Sequence, residues 1–273
     1  MILLHVAVAA LYALAAWVLW PQTAPLGAKP DAPAPRPAAW TAVLLPAALL
    51  LHGWIAGREI ATPEGLDLSL PHALSVVAGL VAAVAWVSGL LRTLPAIGTV
   101  VLPVAAIASL IPAAVTNPHR FSYAGEPWAA LHVAVALVSY ALFLVAALQA
   151  LVLLGLEKRL HRRLPDPGAS GLPPLLTLER FLFRLVTVGF VLLTATLASG
   201  MLFSEQIFGQ ALTFTHKSVF SVLGWLTFGA LLWGRWRYGW RGRVALRWII
   251  AGTVFVFLAY LGSKFVLEVL LGR

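Results

Sequence analysis

The chain has 273 residues, of which 61% are hydrophobic and only 11% are charged, and its mean hydropathy is +0.91. A soluble globular domain carries about 25% charged residues, so this composition excludes a water-soluble fold and indicates an integral membrane protein. The net charge of +9 does not indicate nucleic-acid binding, because the basic residues fall in short loops between apolar runs. The chain has no cysteine, which excludes disulfides, a thiolate zinc site and thiol redox chemistry within it.

Eight stretches are apolar over the roughly 20 residues that a membrane-spanning helix needs. We expect the spans at residues 1–20, 39–57, 73–91, 95–115, 128–155, 178–203, 213–234 and 244–270. The first lacks the basic start of a signal peptide, so it is interpreted as a retained helix. A linker rich in proline and alanine follows, which divides the chain into residues 1–38 and a membrane domain over residues 39–273. The predicted fold class is an all-α, polytopic bundle of eight transmembrane helices.

The lysines and arginines predict how these spans are oriented. One side of the membrane collects 14 of the 19 basic residues, mostly in the loops at residues 156–163 and 233–248. The excess marks the cytoplasmic side, so both termini and the loops near residues 57–72, 116–126 and 204–217 are expected outside. The tryptophans and tyrosine of the loop at 233–248 are typical of an interfacial aromatic belt.

Six of the seven histidines lie at or towards the predicted outer side, and one, His161, lies on the cytoplasmic side. The outer histidines are His5, His52, His72, His119, His132 and His216. We interpret the first four of these as structural or incidental, because they lie in loops or close enough to helix ends to form hydrogen bonds within the bundle.

The remaining two histidines are candidate metal ligands. A helix is predicted to begin near Pro127, which places His132 about 7 Å along its axis. His216 lies within one turn of the outer start of the seventh span. Two imidazoles at matching depth on two helices are able to ligate one metal. Haem iron takes axial histidines, whereas zinc needs three or four ligands and the sequence shows no tight histidine spacing.

Two segments carry a family resemblance. HVAVALVSYALFLVAALQ, residues 132–149, resembles the histidine-bearing helix of the cytochrome c assembly membrane family, which includes CcsA, CcmC and HemX. Residues 216–271 resemble the C-terminal part of that family, and in particular its bacterial inner-membrane subgroup called YpjD. With residues 126–132 and 172–200, the likeness covers about the last 150 residues, whereas spans one to four match mainly in number and length. The resemblance implies a bacterial inner-membrane protein that handles haem at the outer face.

The sequence departs from the family's pattern at its hallmark. That hallmark is a tryptophan-rich outer loop ending in Trp-Asp-Pro-Lys-Glu and flanked by haem-ligating histidines. Here the equivalent place reads FTHKS, in which Lys217 matches the family's lysine, Thr215 replaces the aspartate and His216 replaces the proline. The loop itself is reduced to residues 204–213, and Lys264 stands where the family has its second flanking histidine.

The resemblance and its departures together predict a modified haem site. Loss of the tryptophan-rich loop indicates that the protein does not present haem to apocytochrome c as CcsA and CcmC do. The expected axial ligands are His132 and His216, in a haem-sized cleft that opens outward between spans five and seven. Lys217 either pairs with a haem propionate or is an ordinary side chain that extends to the interface.

Three functions remain open at this point. The first is a haem-binding or haem-handling protein that acts by binding and positioning and is not an enzyme. The second is a non-catalytic partner subunit that has lost haem. The third is a small-solute transporter, against which the lack of charged residues at a membrane midplane weighs. The expected partners are the lipid bilayer and other membrane or cytochrome assembly proteins, and not nucleic acid.

Overall fold

The computed structural model describes residues 1–19, 41–62, 65–67, 69–90, 98–115, 120–121, 127–161, 175–202, 216–263 and 265–266. The described chain contains eight α-helices, which lie at the eight positions predicted from hydropathy. They are α1 (Ile2–Leu19), α2 (Thr41–Ile60), α3 (Leu70–Leu90), α4 (Gly98–Ala114), α5 (Pro127–His161), α6 (Leu175–Leu202), α7 (His216–Tyr238) and α8 (Gly242–Phe257). α8 continues directly into a π-helix, Leu258–Gly262, which hydropathy did not predict. The predicted boundary between residues 38 and 39 lies outside the described residues.

The helices have the length and composition of membrane spans. Six of those described, α2, α3, α5, α6, α7 and α8 with its π-helix, are apolar and long enough to cross a membrane. α1 and α4 are shorter apolar helices. α5 has 35 residues and is therefore about 52 Å long, well beyond the roughly 30 Å of a hydrocarbon core. The predicted class, an all-α polytopic membrane protein, is confirmed.

The helices pack as two groups of four. α1 to α4 contact one another in the first group, α5 to α8 in the second, and α3 joins the groups by packing against α5. The core of the second group is a stack of aromatic rings, with the Phe143 and Phe228 centroids 3.9 Å apart and the ring planes 7° from parallel. Gly189 of α6 lies against the Phe143 ring and Gly252 of α8 against the Phe228 ring. Four helices therefore meet at one closely packed layer.

A small antiparallel sheet covers one end of the first group. Its strands are β1 (Ala61–Thr62), β2 (Gly65–Asp67) and β3 (Arg120–Phe121), in the order β1-β2-β3. Leu66 is the residue of β2 that pairs with both neighbours, Ala61 on β1 and Phe121 on β3. The sequence predicted only loops here, because strands of two or three residues show no alternation of apolar and polar side chains.

The bundle has two ends, which differ in the sheet and in the polar contacts described below. We call one the histidine end: it holds the first residues of α1, α3, α5 and α7 and the last residues of α2, α4 and α6. We call the other the arginine end: it holds the last residues of α1, α3, α5 and α7 and the first residues of α2, α4, α6 and α8. There α7 stops at Gly239, whose φ of 66° favours glycine, and the Gly239 N–H donates to the Arg235 carbonyl at 3.0 Å.

Candidate functional site

His132 lies in the second turn of α5, partly buried against α6. Its Nδ1 is 2.8 Å from Ser199 Oγ, and the Ser199 hydroxyl donates to the Thr196 carbonyl at 3.1 Å. A serine hydroxyl has one hydrogen, so when it donates to the carbonyl its oxygen accepts from Nδ1–H of His132. In a neutral ring the lone pair is then on Nε2. The contact with Ser199 therefore sets the orientation of this imidazole.

Lys217 lies in the first turn of α7, at the same end of the bundle as His132. Its side chain is exposed, with Nζ 5.5 Å from the ring centroid of Tyr260 on the π-helix, which is a cation–π contact. Tyr260 packs 5.5 Å from Tyr140 of α5, and the Tyr140 hydroxyl pairs with Ser221 of α7. Lys217 is also close enough to His132 to interact with it electrostatically. The structure thus brings two of the three predicted site residues together.

His216, the third predicted residue, is the first residue of α7 and is exposed. It adjoins Lys217 in the chain, at the same end of the bundle as His132. That His216 and His132 face each other stays a prediction, as does the cleft between α5 and α7. The segments that precede these two helices, residues 122–126 and 203–215, lie outside the described residues, as do His119 and Lys264.

The chemistry of these side chains fits a haem. A metal-ligating histidine usually donates its second ring N–H to a hydrogen-bond partner, and Ser199 Oγ lies 2.8 Å from His132 Nδ1 as such a partner. A lysine near the membrane edge suits the carboxylates of a haem. Among the described side chains, no three His, Asp or Glu groups are arranged to hold a metal ion, but haem iron needs only two axial ligands.

A second polar cluster occupies the histidine end of the first helix group. His5 Nδ1 is 2.7 Å from the Ser109 carbonyl of α4, and His5 Nε2 is 2.8 Å from Glu59 Oε1 of α2. The Ser109 carbonyl and an ionised Glu59 carboxylate can both only accept a hydrogen bond. The hydrogen between His5 Nε2 and Glu59 Oε1 therefore belongs either to His5 or to Glu59, and the two side chains share one proton. Glu59 Oε2 also lies 3.6 Å from His72 Nε2 of α3, and Ser69 Oγ lies 2.8 Å from His72 Nδ1.

His52 lies one layer deeper in the same group. Its Nδ1 is 3.1 Å from the Tyr12 hydroxyl and its Nε2 is 2.9 Å from Ser75 Oγ. His5 and His52 are 3% and 4% exposed, and both nitrogens of each ring have a partner. These contacts support the structural interpretation of His5 and His52, since neither ring offers a nitrogen to a ligand.

Sequence reasoning missed the side chains that position the predicted ones. Ser199, Tyr260 and Glu59 lie inside or at the end of apolar runs, and nothing in their own neighbourhood marks them. One usable signal was present: Ser199 is a polar residue near the outer end of span six, at the depth expected for His132 on span five. Polar side chains in a membrane usually face the bundle interior, so this rule would have predicted a contact between Ser199 and His132.

The fold and the candidate site define a polytopic helical membrane protein with a histidine and a lysine at one end of the bundle. The chain belongs to the cytochrome c assembly protein family, whose profile, described as "Cytochrome C assembly protein", matches residues 41–271. The family predicted from sequence is therefore confirmed. No solved structure matches the chain.

Three relatives illustrate the similarity. "Inner membrane protein YpjD" of Escherichia coli K12 is 33% identical over 165 residues, 60% of each chain. An uncharacterised 28.8 kDa protein of Azospirillum brasilense is 37% identical over 145 residues, 53% of this chain and 54% of that protein. "Cytochrome c biogenesis protein CcsA" of Synechococcus sp. (strain CC9902) is 27% identical over 156 residues, 50% of this chain and 51% of that protein. The chain thus spans about half to three fifths of the length of the curated relatives it matches.

Proposed function

We propose that this protein binds or handles haem in a bacterial inner membrane, and that it acts by binding and positioning rather than by catalysing a reaction. The relatives named inner membrane protein YpjD and cytochrome c biogenesis protein CcsA support this placement. His132 and His216 are the proposed axial ligands, and Lys217 provides a positive charge for a propionate. The expected partners of the protein, beyond the lipid bilayer, are other membrane or cytochrome assembly proteins.

The observation that carries the proposal is the hydrogen-bond relay from His132 through Ser199 to the Thr196 carbonyl. When Nδ1 of a neutral His132 donates to Ser199, Nε2 is the ring nitrogen that we propose as the iron ligand. Haem supplies an iron that accepts two axial ligands and two carboxylates that need counter-charges. Ser199 holds the imidazole in one orientation, and the Tyr260 ring contacts the Lys217 ammonium at 5.5 Å.

An absorption spectrum of the detergent-purified protein, reconstituted with hemin, tests this proposal. We expect a Soret band in the wild type, its loss in His132→Ala, and a weaker or shifted band in His216→Ala. Ser199→Ala keeps the ligand but loses the orienting bond, so we expect about 10- to 100-fold weaker haem affinity. His161→Ala removes a histidine at the arginine end and serves as the control, with an unchanged spectrum.

Each other result has a defined meaning. Loss of the band in His132→Ala but not in His216→Ala keeps the haem function and assigns the second axial position to another side chain. A Ser199→Ala variant with wild-type affinity contradicts the proposed role of the relay. Absence of a Soret band in the wild type with excess hemin overturns the haem function and favours the partner-subunit alternative.

We also propose that all eight helices span the membrane, with both termini and the histidine end outside. Because the chain lacks native cysteine, single cysteines report the topology directly. Ile2→Cys and Val115→Cys, both exposed at the histidine end, are expected to react with a membrane-impermeant maleimide in spheroplasts. Arg241→Cys at the arginine end is expected to react only after permeabilisation. The reverse labelling pattern contradicts the orientation.

A further inference from the structure

The turn between α7 and α8 and the helix residues beside it carry arginines that nearby carboxylates only partly neutralise. Five arginines lie between residues 235 and 247, and two of them meet a carboxylate: Arg235 Nη1 is 3.4 Å from Glu179 Oε1, and Arg243 Nε is 3.1 Å from Glu157 Oε1. The other three are Arg237, Arg241 and Arg247, all exposed. No carboxylate of the described residues forms an ion pair with any of these three. We call them the turn arginines.

The rest of the arginine end adds to this excess. Lys158 at the end of α5 and Arg180 and Arg184 at the start of α6 are exposed at the same end of the bundle. The described side chains there comprise eight bases and two acids, a net excess of six positive charges. The complementary ligand is therefore an anion that comes from outside the described chain.

Aromatic side chains fix the depth at which the turn arginines lie. Trp233, Trp236 and Tyr238 are 59%, 77% and 67% exposed, and Arg237 lies over the Tyr238 ring at 5.6 Å. Exposed tryptophan and tyrosine at the end of a membrane helix settle at the headgroup layer, because one part of the ring is apolar and the other polar. The neighbouring guanidinium groups are thereby held where lipid phosphates lie.

The turn is rigid enough to present a formed site. Trp240 packs directly on Gly234, where a larger residue would collide with the indole ring. The Trp240 ring also lies 5.4 Å from Trp248 and 6.4 Å from Tyr238. Gly239 and Gly242, with φ values of 66° and 56°, allow the sharp reversal. The chain thus loses little freedom when a ligand binds, which favours affinity.

We propose that the turn arginines, together with Trp236 and Tyr238, bind the phosphate of anionic phospholipids in the adjacent leaflet. A planar guanidinium binds two phosphate oxygens at once, and three of them, one on α7, one on α8 and one between the two helices, favour an anionic headgroup over a zwitterionic one. This inference does not depend on haem binding. It also holds for either orientation of the bundle.

Native mass spectrometry of the full-length protein tests the inference, with phosphatidylglycerol as the probe and phosphatidylcholine of the same acyl chains as the reference. We expect tighter binding of phosphatidylglycerol. Replacing all three turn arginines by glutamine (R237Q, R241Q and R247Q) should weaken phosphatidylglycerol binding about 100-fold, since a basic group near an anionic surface contributes about fivefold.

A matched control removes the same charge from the same end: Lys158→Gln with R180Q and R184Q. We expect less than a threefold effect, because these three side chains lie on α5 and α6 and not beside the aromatic side chains Trp236 and Tyr238 of the proposed site. Equal losses in the two triple variants would show unspecific attraction and overturn the proposed site, as would equal binding of the two lipids. Displacement of the lipid by millimolar inorganic phosphate would show a phosphate site without lipid selectivity. The single variants R241Q and R247Q, each expected to weaken binding about fivefold, decide the question if the triple variant does not fold.

Discussion

Gly252→Ala is expected to lower the free energy of unfolding by about 2 to 3 kcal/mol, the range for overfilling a packed core. A methyl group at Gly252 would lie 2.8 to 3.0 Å from three carbons of the Phe228 ring. That ring is fully buried and stacked at 3.9 Å on Phe143, and Phe143 in turn lies against Gly189. The aromatic pair therefore has no space in which to retreat, so α7 and α8 must separate.

Equilibrium unfolding in mixed detergent micelles measures this effect. Gly155→Ala on α5 is the matched control, since a methyl group there meets nothing within 4 Å. It should leave stability unchanged or raise it by up to about 1 kcal/mol, the helix-propensity gain of alanine. Phe228→Leu combined with Gly252→Ala should recover part of the loss, giving a coupling energy of about 1 kcal/mol or more. Wild-type stability of Gly252→Ala would contradict the described packing.

Hydropathy predicted where the helices lie, because a run of about 20 apolar residues is a physical requirement of the bilayer. The ends were less predictable. The fifth span, predicted at residues 128–155, coincides with the apolar part of α5, Trp128–Gly155. The helix itself continues to His161 with polar residues, which hydropathy does not predict as helical. The π-helix of residues 258–262 was not predictable, since a change of hydrogen-bond register leaves no pattern in hydropathy.

Only the most conspicuous residues of the candidate site were predictable from the sequence. His132 and Lys217 stand out as polar residues within or beside apolar runs. Their partners come from other helices: Ser199 is 67 positions from His132, and Glu59 is 54 positions from His5. Such pairs depend on how helices pack, which a single sequence does not specify. The mutual position of His132 and His216 remains a prediction for the same reason.

The second large effect is expected at the His5–Glu59 pair. Glu59→Leu should lower the free energy of unfolding by about 2 to 3 kcal/mol, less than the roughly 3 to 5 kcal/mol of a fully buried pair, because the Glu59 side chain is 18% exposed. The substitution leaves the buried His5 Nε2 facing an apolar side chain. It also removes the carboxylate that lies 3.6 Å from His72 Nε2, so the contact between α2 and α3 weakens too.

Glu59→Gln is the matched variant, and its expected cost is below about 1 kcal/mol. The glutamine amide can donate to Nε2 of a neutral His5 while His5 Nδ1–H still donates to the Ser109 carbonyl at 2.7 Å. The shared proton is lost, but every hydrogen bond of the ring is kept. Unfolding in detergent micelles compares the two variants, and an equal loss in both would show that the carboxylate acts by charge rather than by hydrogen bonding.

A double variant separates the polar pair from the packing around it. His5→Leu with Glu59→Leu removes both partners, and replacing a whole buried pair by apolar side chains is often close to neutral. We therefore expect the double variant to be more stable than Glu59→Leu alone, with a coupling energy of at least about 1 kcal/mol. Additive losses would mean that the two side chains contribute separately. In that case the short distance between His5 Nε2 and Glu59 Oε1 would not stabilise the histidine end.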